Sequence, residues 1–361
     1  MLDMQTQAKT DALRKADARE RRKKILFPVF GLVLLSFFAV LAASWGAASI
    51  TTMDVVRSVL AKLFPFTGIK ATPLADTIVW NLRLPRIAMA SVAGAGFAVS
   101  GAAMQGIMRN PLVSPFTIGI SSGAGFGASL AIVLGVGVFS GGQYLIIGNA
   151  FFFALLAAGL VYGVARFRGV TPETLILGGI ALMYLFSAST SMLQYLASEQ
   201  QLQGVVFWLF GSLASATWQS LAVVSLVFLL CCPLIVKYAW DLNALATGDE
   251  VALSLGINAA RVRLVAMILA SLITATIICF TGIIGFVCLV APHITRMVIG
   301  SDHRFLIPFA AIVGALLLLA ADTAGRTLFA PAELPVGIVT AYIGVPMFLY
   351  LLITRRRQYF Q

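Results

Sequence analysis

The chain has 361 residues, 60% of them hydrophobic and only 11% charged, with a mean hydropathy of +0.96. This excludes a soluble globular protein, whose composition is far more polar, and repeated apolar runs of about twenty residues indicate a polytopic membrane protein. The net charge of +11 does not imply nucleic acid, because the basic residues gather at the ends of apolar runs, where such clusters mark the cytoplasmic side.

The runs are continuously apolar rather than alternating, so an all-α protein and not a β-barrel is expected. Residues 1–24 form a basic cytoplasmic arm carrying Lys9, Arg14, Lys15, Arg19, Arg21, Arg22, Lys23 and Lys24. Residues 25–361 form a single transmembrane domain. Its first span, about 25–46, is too long for a signal-peptide core and is read as uncleaved. A moderately polar outer segment over 50–81 follows. Arg83-Leu84-Pro85-Arg86 opens the second span, about 84–107, with Gly94, Ala98 and Ala102 at four-residue spacing. Ser114-Pro115 restarts a helix, serine as N-cap and proline at N1. That third span carries Gly119, Gly123 and Gly127, a small-residue ridge for close helix packing.

The fourth span, about 143–165, ends inside at Arg166 and Arg168. Thr171-Pro172-Glu173 repeats the cap-then-proline start, and the fifth span runs to about residue 196. Glu199-Gln200-Gln201 reads as a polar outer turn, and Trp208 and Trp218 bracket an amphipathic piece at the outer interface. The sixth span ends near Lys237. The apolar run after Arg263 is too long for one span, and Gly282 and Gly285 are expected to break it outside. The short eighth span passes through Pro292 to Arg296. The ninth ends near Asp322, residues 325–333 form an outer re-entrant piece, and the tenth begins near Pro335.

About ten spans with both termini inside result. Of the 25 Lys and Arg, only Arg57, Lys62, Lys70, Arg83, Arg86 and Arg326 then fall outside, the asymmetry expected of this orientation. Arg83–Arg86 with its glycine-rich span, and Arg261–Arg263 with the span that leads to Pro292, hint at two inverted-repeat-like halves. The four cysteines lie in apolar runs without metal spacing and read as small buried hydrophobes.

Between the sixth and seventh spans lies a polar stretch, 242–263, reading LNALATGDEVALSLGINAARVR. Gly248, Asp249, Glu250, Val251, Ala252, Leu253, Ser254, Leu255 and Gly256 predict a short helix there. Its two carboxylates lie at the positive end of the helix dipole, and Gly256 takes the left-handed cap position. Val251, Ala252 and Leu255 fall together at helical spacing. The stretch is either an ordinary interhelical loop or a docking helix with an apolar knob offered to a soluble partner.

No lysine follows a glycine, so the chain has no phosphate-binding P-loop, and no catalytic triad or metal set can be assembled around His293 and His303. Intramembrane carboxylates of the kind that ion-coupled carriers place at midplane are not evident, since Asp322, Glu333 and Glu173 fall near span ends. That weighs against a self-sufficient secondary transporter. A non-transporting membrane scaffold is the third class.

GDEVALSLGI with Arg261 and Arg263, WNLRLPRIAMASVAGAGFAVSGAAMQGIMRNPLVSP, GIIGFVCLVAPHITR and ELPVGIVTAYIGVP occur in order. Together they resemble permease subunits of ATP-binding-cassette importers of the iron-chelate (siderophore and haem) and vitamin B12 uptake family, over about residues 25–355. The resemblance implies a homodimer of ten-helix permeases in the bacterial or archaeal inner membrane. Two separate ATPase subunits carry ATP and Mg²⁺, and a periplasmic or lipid-anchored substrate-binding protein sits above, with no nucleic acid involved. It implies that this chain is not an enzyme and binds no cofactor. It places ATPase coupling at Gly248, Asp249, Glu250, Val251, Leu253, Leu255 and Gly256, and a cytoplasmic gate at Thr171 and Pro172, which are also a good helix start. It places binding-protein docking at Arg83, Arg86 and Arg326. Those arginines are otherwise helix-end residues that snorkel to lipid headgroups, with Arg326 able to pair with Asp322 at i,i+4. A ferric siderophore is the leading cargo by resemblance, with haem, cobalamin and oxyanions behind.

Overall fold

Wherever Ser or Thr precedes a proline at the head of an apolar run, the chain turns into a helix. In the computed structural model, which describes residues 26–46, 50–67, 71–137 and 141–354, Thr72 caps Pro73 and Thr171 caps Pro172 in this way. The basic arm 1–24, Lys70 and Arg355, Arg356 and Arg357 lie outside the described residues.

The helices in order are α1 (Leu26–Ser44), α2 (Thr52–Leu63), α3 (Pro73–Thr77) and α4 (Leu84–Met108), the last two joined by a widened π-helical turn, Ile78–Arg83. Then come α5 (Ile120–Leu134), α6 (Gly142–Arg168), α7 (Pro172–Leu196), α8 (Glu199–Phe210) and α9 (Trp218–Lys237). The chain ends with α10 (Ala239–Ala246), α11 (Asp249–Ser254), α12 (Ala259–Thr281), α13 (Val287–Ile299), α14 (His303–Thr327) and α15 (Val336–Thr354). Seven of these segments, α1, the continuous α3–α4 rod, α6, α7, α9, α12 and α14, are long and apolar enough to cross a membrane. The helices α5, α13 and α15 are further apolar helices. The fold is all-helical among the described residues, as the sequence leads one to expect.

The centre is α4, buried on nearly every side. It can be central because its small residues let neighbouring backbones approach: a Cβ on Gly94 would overlap the Gly314 carbonyl of α14, and one on Gly314 would overlap the Gly94 carbonyl. Such contacts hold helices together in lipid, where the hydrophobic effect gives no help between them. Gly123 and Gly127 of α5 meet α6 backbone at Phe153 and Asn149 in the same manner. Gly119, read from the sequence as the first residue of that ridge, instead turns the chain at φ +83° between a 3₁₀ turn (Pro115–Ile118) and α5. By contrast, α1, α7 and α9 are peripheral, with most of each helix unburied by this chain.

Four boundaries differ from the sequence expectation. The polar Glu199-Gln200-Gln201 turn is the first turn of α8, started by a reciprocal cap between Ser198 and Gln201. The 242–263 stretch begins helically, because Leu242 and Leu245 of α10 are fully buried against the bundle. The helix α14 runs on to Thr327, past the span end expected near Asp322, so Arg326 sits inside it and not in a re-entrant piece. Gly282 does break the long apolar run at φ +69°, but the second positive φ belongs to Phe286 rather than Gly285.

Two ends of the bundle are defined by what meets there. One collects Trp45, Trp80, Trp218, Arg83, Arg86, Asp322 and Glu333. The other collects Ile107, Val170, Asn243, Asp249, Arg263 and Asp302. The turns assigned to the cytoplasm from charge are those at the second end.

Candidate functional site

At the second end, α11 is punctuated by glycine on both sides. Gly248 enters at φ +125° and Gly256 leaves at φ +78°, conformations that a side chain would strain. The exit is closed by Ile257 N donating to Ala252 O at 2.9 Å. Ala252 is buried and faces the bundle, so it is not part of the knob that its spacing suggested. Val251 and Leu253 on this helix of six residues and Leu255 at its C-cap are 46%, 71% and 65% exposed. Three large apolar side chains are thus presented outward from a polar stretch and are not part of the core.

The inner side of α11 is held by charge. Asp249 accepts from Arg263 through both carboxylate oxygens, at 2.8 and 2.7 Å, and Arg109 lies 3.9 Å away. The Arg263 hydrogen bonds hold the Asp249 carboxyl below its usual range, against partial burial. Glu250 shares with Asp249 the first turn, where negative charge suits the helix dipole. Arg263, named in the sequence only as part of a motif and given no role there, is 2% exposed and also donates to Ile107 O at 3.1 Å and Val170 O at 3.2 Å. Its signal in the sequence was an arginine one turn inside an apolar helix start.

Thr171 and Pro172 lie beside this helix. A cleft of about 350 Å³ is lined by Thr171, Pro172 and Glu173 on one wall and by Gly248, Asp249, Glu250 and Val251 on another, with Arg109 and Thr247 completing it. Thr171 is a helix cap, its hydroxyl accepting from Thr174 N. The expected coupling helix and the expected gate therefore meet in one cleft, although 75 residues or more separate them in the chain. On the far side of the same end, Asn243 of α10 donates to Asp302 at 2.8 Å and accepts from the His303 backbone at 2.9 Å. Asp302 is pushed down to about 2, chiefly by hydrogen bonds from Arg304. These bonds fasten α10 to the start of α14 and keep the 242–263 stretch on a rigid base.

At the opposite end the three docking candidates are turned inward. Arg83 donates to the carbonyls of Ala43 and Ser44, and Arg326 to those of Ala42 and Trp45. These are the unsatisfied C-terminal carbonyls of α1, which attract positive charge. Arg86 binds Asp322 through Nε and Nη2, and Glu333 through Nη1 at 2.7 Å. Arg326 pairs with Asp322 at 3.2 Å, the i,i+4 contact that the spacing allowed. The expectation of three surface arginines is thus corrected: Arg83 and Arg326 are buried and Arg86 nearly so, because a buried Asp322 and the end of α1 need their charge. The group that reaches the surface here is Glu333, 42% exposed.

The sequence pattern of the FecCD transport family matches residues 33–354. A chain assigned as an ABC transporter permease in Methanocaldococcus jannaschii is 44% identical over 340 residues, covering 92% of this chain and 95% of that one. The hemin transport system permease protein of Yersinia pestis is 39% identical, covering 91% and 96%. The molybdate import system permease protein of Haemophilus influenzae is 37% identical, covering 91% and 96%. Among solved structures, an inward-facing transporter assigned to the metal-chelate ABC type superposes with a TM-score of 0.79 at 35% identity, over 91% of this chain and 99% of that one.

Proposed function

This chain belongs to the FecCD transport family, and on that premise we propose that it moves a metal chelate inward across a prokaryotic inner membrane, a ferric siderophore before haem or cobalamin. It is a multi-pass permease subunit of an ATP-binding-cassette importer and not an enzyme; ATP hydrolysis belongs to a separate subunit. The relatives carry cargo as different as hemin and molybdate at nearly equal identity, so overall similarity alone does not choose the cargo. The chelate reading follows the metal-chelate type of the superposing structure.

The observation that carries the mechanism is the shared cleft between α11 and the Thr171-Pro172 corner. In this reading ATP and Mg²⁺ draw two ATPase subunits together beneath a pair of permeases. Each ATPase seats the exposed Val251, Leu253 and Leu255 face and displaces it. The displacement reaches the start of α7 directly, through the wall that the two elements share, and opens or closes the path beside it. The end bearing α11 then faces the cytoplasm, in keeping with the basic residues at its turns. A substrate-binding protein docks at the other end; if it does so through Arg83, Arg86 and Arg326, its carboxylates must displace Glu333 from Arg86.

The test is co-purification to identify the ATPase and binding protein, followed by uptake in proteoliposomes loaded with ATP. ATP-dependent accumulation of a ferric siderophore, in preference to hemin, cobalamin and molybdate, is the expected result. Uptake without the ATPase, driven by an ion gradient, would sink the importer reading in favour of a secondary transporter. Absence of flux for every cargo in the complete assembly would favour a scaffold.

A further inference from the structure

Arg263 is the largest fully buried side chain among the described residues, and it sits near the start of α12, at the end of the bundle that carries α11. Burying a guanidinium is unfavourable unless its donors are satisfied, and here they are divided among three separate segments. Nε donates to Ile107 O in the last turn of α4, and Nη1 to Val170 O in the corner between α6 and α7. Nη1 and Nη2 together grip Asp249, the first residue of α11. A planar fork holds its partners at fixed angles, which a lysine ammonium cannot do.

We propose that Arg263 is a positioning residue that ties the placement of α11 to the corner preceding α7 and to the end of α4, so that a push on α11 is delivered to Thr171. This deepens the importer reading above, and in that setting it rests on it; the mechanical link itself belongs to the permease alone. Val170, whose carbonyl Arg263 holds, immediately precedes Thr171, whose hydroxyl caps α7. Leu253 and the C-cap residue Leu255 are exposed on the same short element whose first residue Arg263 holds. Thus α11 has a free apolar face for a partner and a fixed polar foot, and the foot is shared with the corner it is meant to move. Glycines at both its ends let the helix swing as a unit.

Hydrogen exchange on the purified permease, without any partner, tests the link. Asp249→Asn leaves Arg263 in place but removes the charge that holds α11. Exchange should rise several-fold at the amides of 249–257 and also at 171–176, a segment that Asp249 reaches through Arg263 and the Val170 carbonyl; a rise at 107–110 alone does not count, because Asp249 also pairs with Arg109. Arg263→Lys should produce the same spread. A change confined to 247–257 in both variants overturns the proposal, leaving the ion pair a local helix anchor. In proteoliposomes with the co-purified ATPase, Asp249→Asn should raise the ATP consumed per cargo molecule several-fold while the ATPase still co-purifies. A wild-type ratio in that variant also overturns it. If the wild-type assembly shows no ATP-driven uptake, the importer reading fails, and the exchange experiment alone decides the link.

Discussion

Single side chains at the two ends of this bundle do opposite kinds of work. Leu253 and Leu255 point away from the protein, so their value lies in a contact yet to be made. Replacing either with Asp puts a charge into that contact, which costs several kcal/mol if unpaired, on the order of 3. The variant should insert and purify like the wild type, because neither leucine supports the fold. The ATPase should no longer co-purify, or its hydrolysis should lose dependence on cargo. Full ATP-driven transport by both variants would remove α11 as the docking element. Asp322 works inward: fully buried, it neutralises Arg86 and Arg326 together. Asp322→Asn leaves two buried guanidinium groups short of a counter-charge, a loss of about 3 kcal/mol or more. Glu333→Gln removes a partly exposed partner of the same Arg86 and should cost about 1 kcal/mol or less. Thermal unfolding in detergent separates the two; equal melting temperatures for both variants would contradict the buried role of Asp322.

At the scale of elements, what a single sequence could reveal depended on how local the cause was. Thr171-Pro172, Gly248, Gly256 and Gly282 act on the few residues beside them, and the structure uses each where its chemistry predicts. The extension of α14 was not legible, because Asp322 and Arg326 look like the polar end of a span until their partners from α1 and α4 are known. Likewise Arg83 and Arg326 read as surface charge only while the carbonyls of 42–45 are out of view. The Arg263 node joins positions 107, 170, 249 and 263, and no spacing in the chain announces it. The α8 helix was a different kind of omission: the Ser198–Gln201 cap is local and lay in plain sight. Its contribution can be measured directly. Ser198→Ala should cost about 1 kcal/mol, the usual loss for a serine cap, and should speed amide exchange in 199–203 without altering exchange in α11. No change in exchange at 199–203 would mean that packing, including the Gln201 bond to Val133 O, starts the helix by itself.

For the whole molecule, two questions remain tied together: which end faces the cytoplasm, and what covers the peripheral helices. The first follows from charge. Cysteines placed at Ser254 and Ser301, both exposed at the α11 end, should be protected from a membrane-impermeant thiol reagent in intact cells and should react in inverted vesicles; labelling from outside would reverse the topology. The second follows from a side chain that does not suit lipid. Tyr184 lies 12 residues into α7, about 18 Å along a helix that rises 1.5 Å per residue, which is the middle of a bilayer core about 30 Å thick. It is 69% exposed in the single chain. A phenol hydroxyl facing hydrocarbon at that depth has nothing to bond with, so this face of α7 is expected to meet a second copy of the chain or a water-filled path between the copies. Leu226 on α9 is exposed to a similar degree and has no polar atom to satisfy, so it is expected to face lipid. Cysteines at the two positions should differ sharply. Tyr184→Cys should react with a small hydrophilic thiol reagent, or cross-link to its counterpart in a second copy, because a thiolate forms only where water reaches it. Leu226→Cys should do neither. Equal inertness at both positions, in an assembly that still transports, would place α7 against lipid and move the path elsewhere in the bundle.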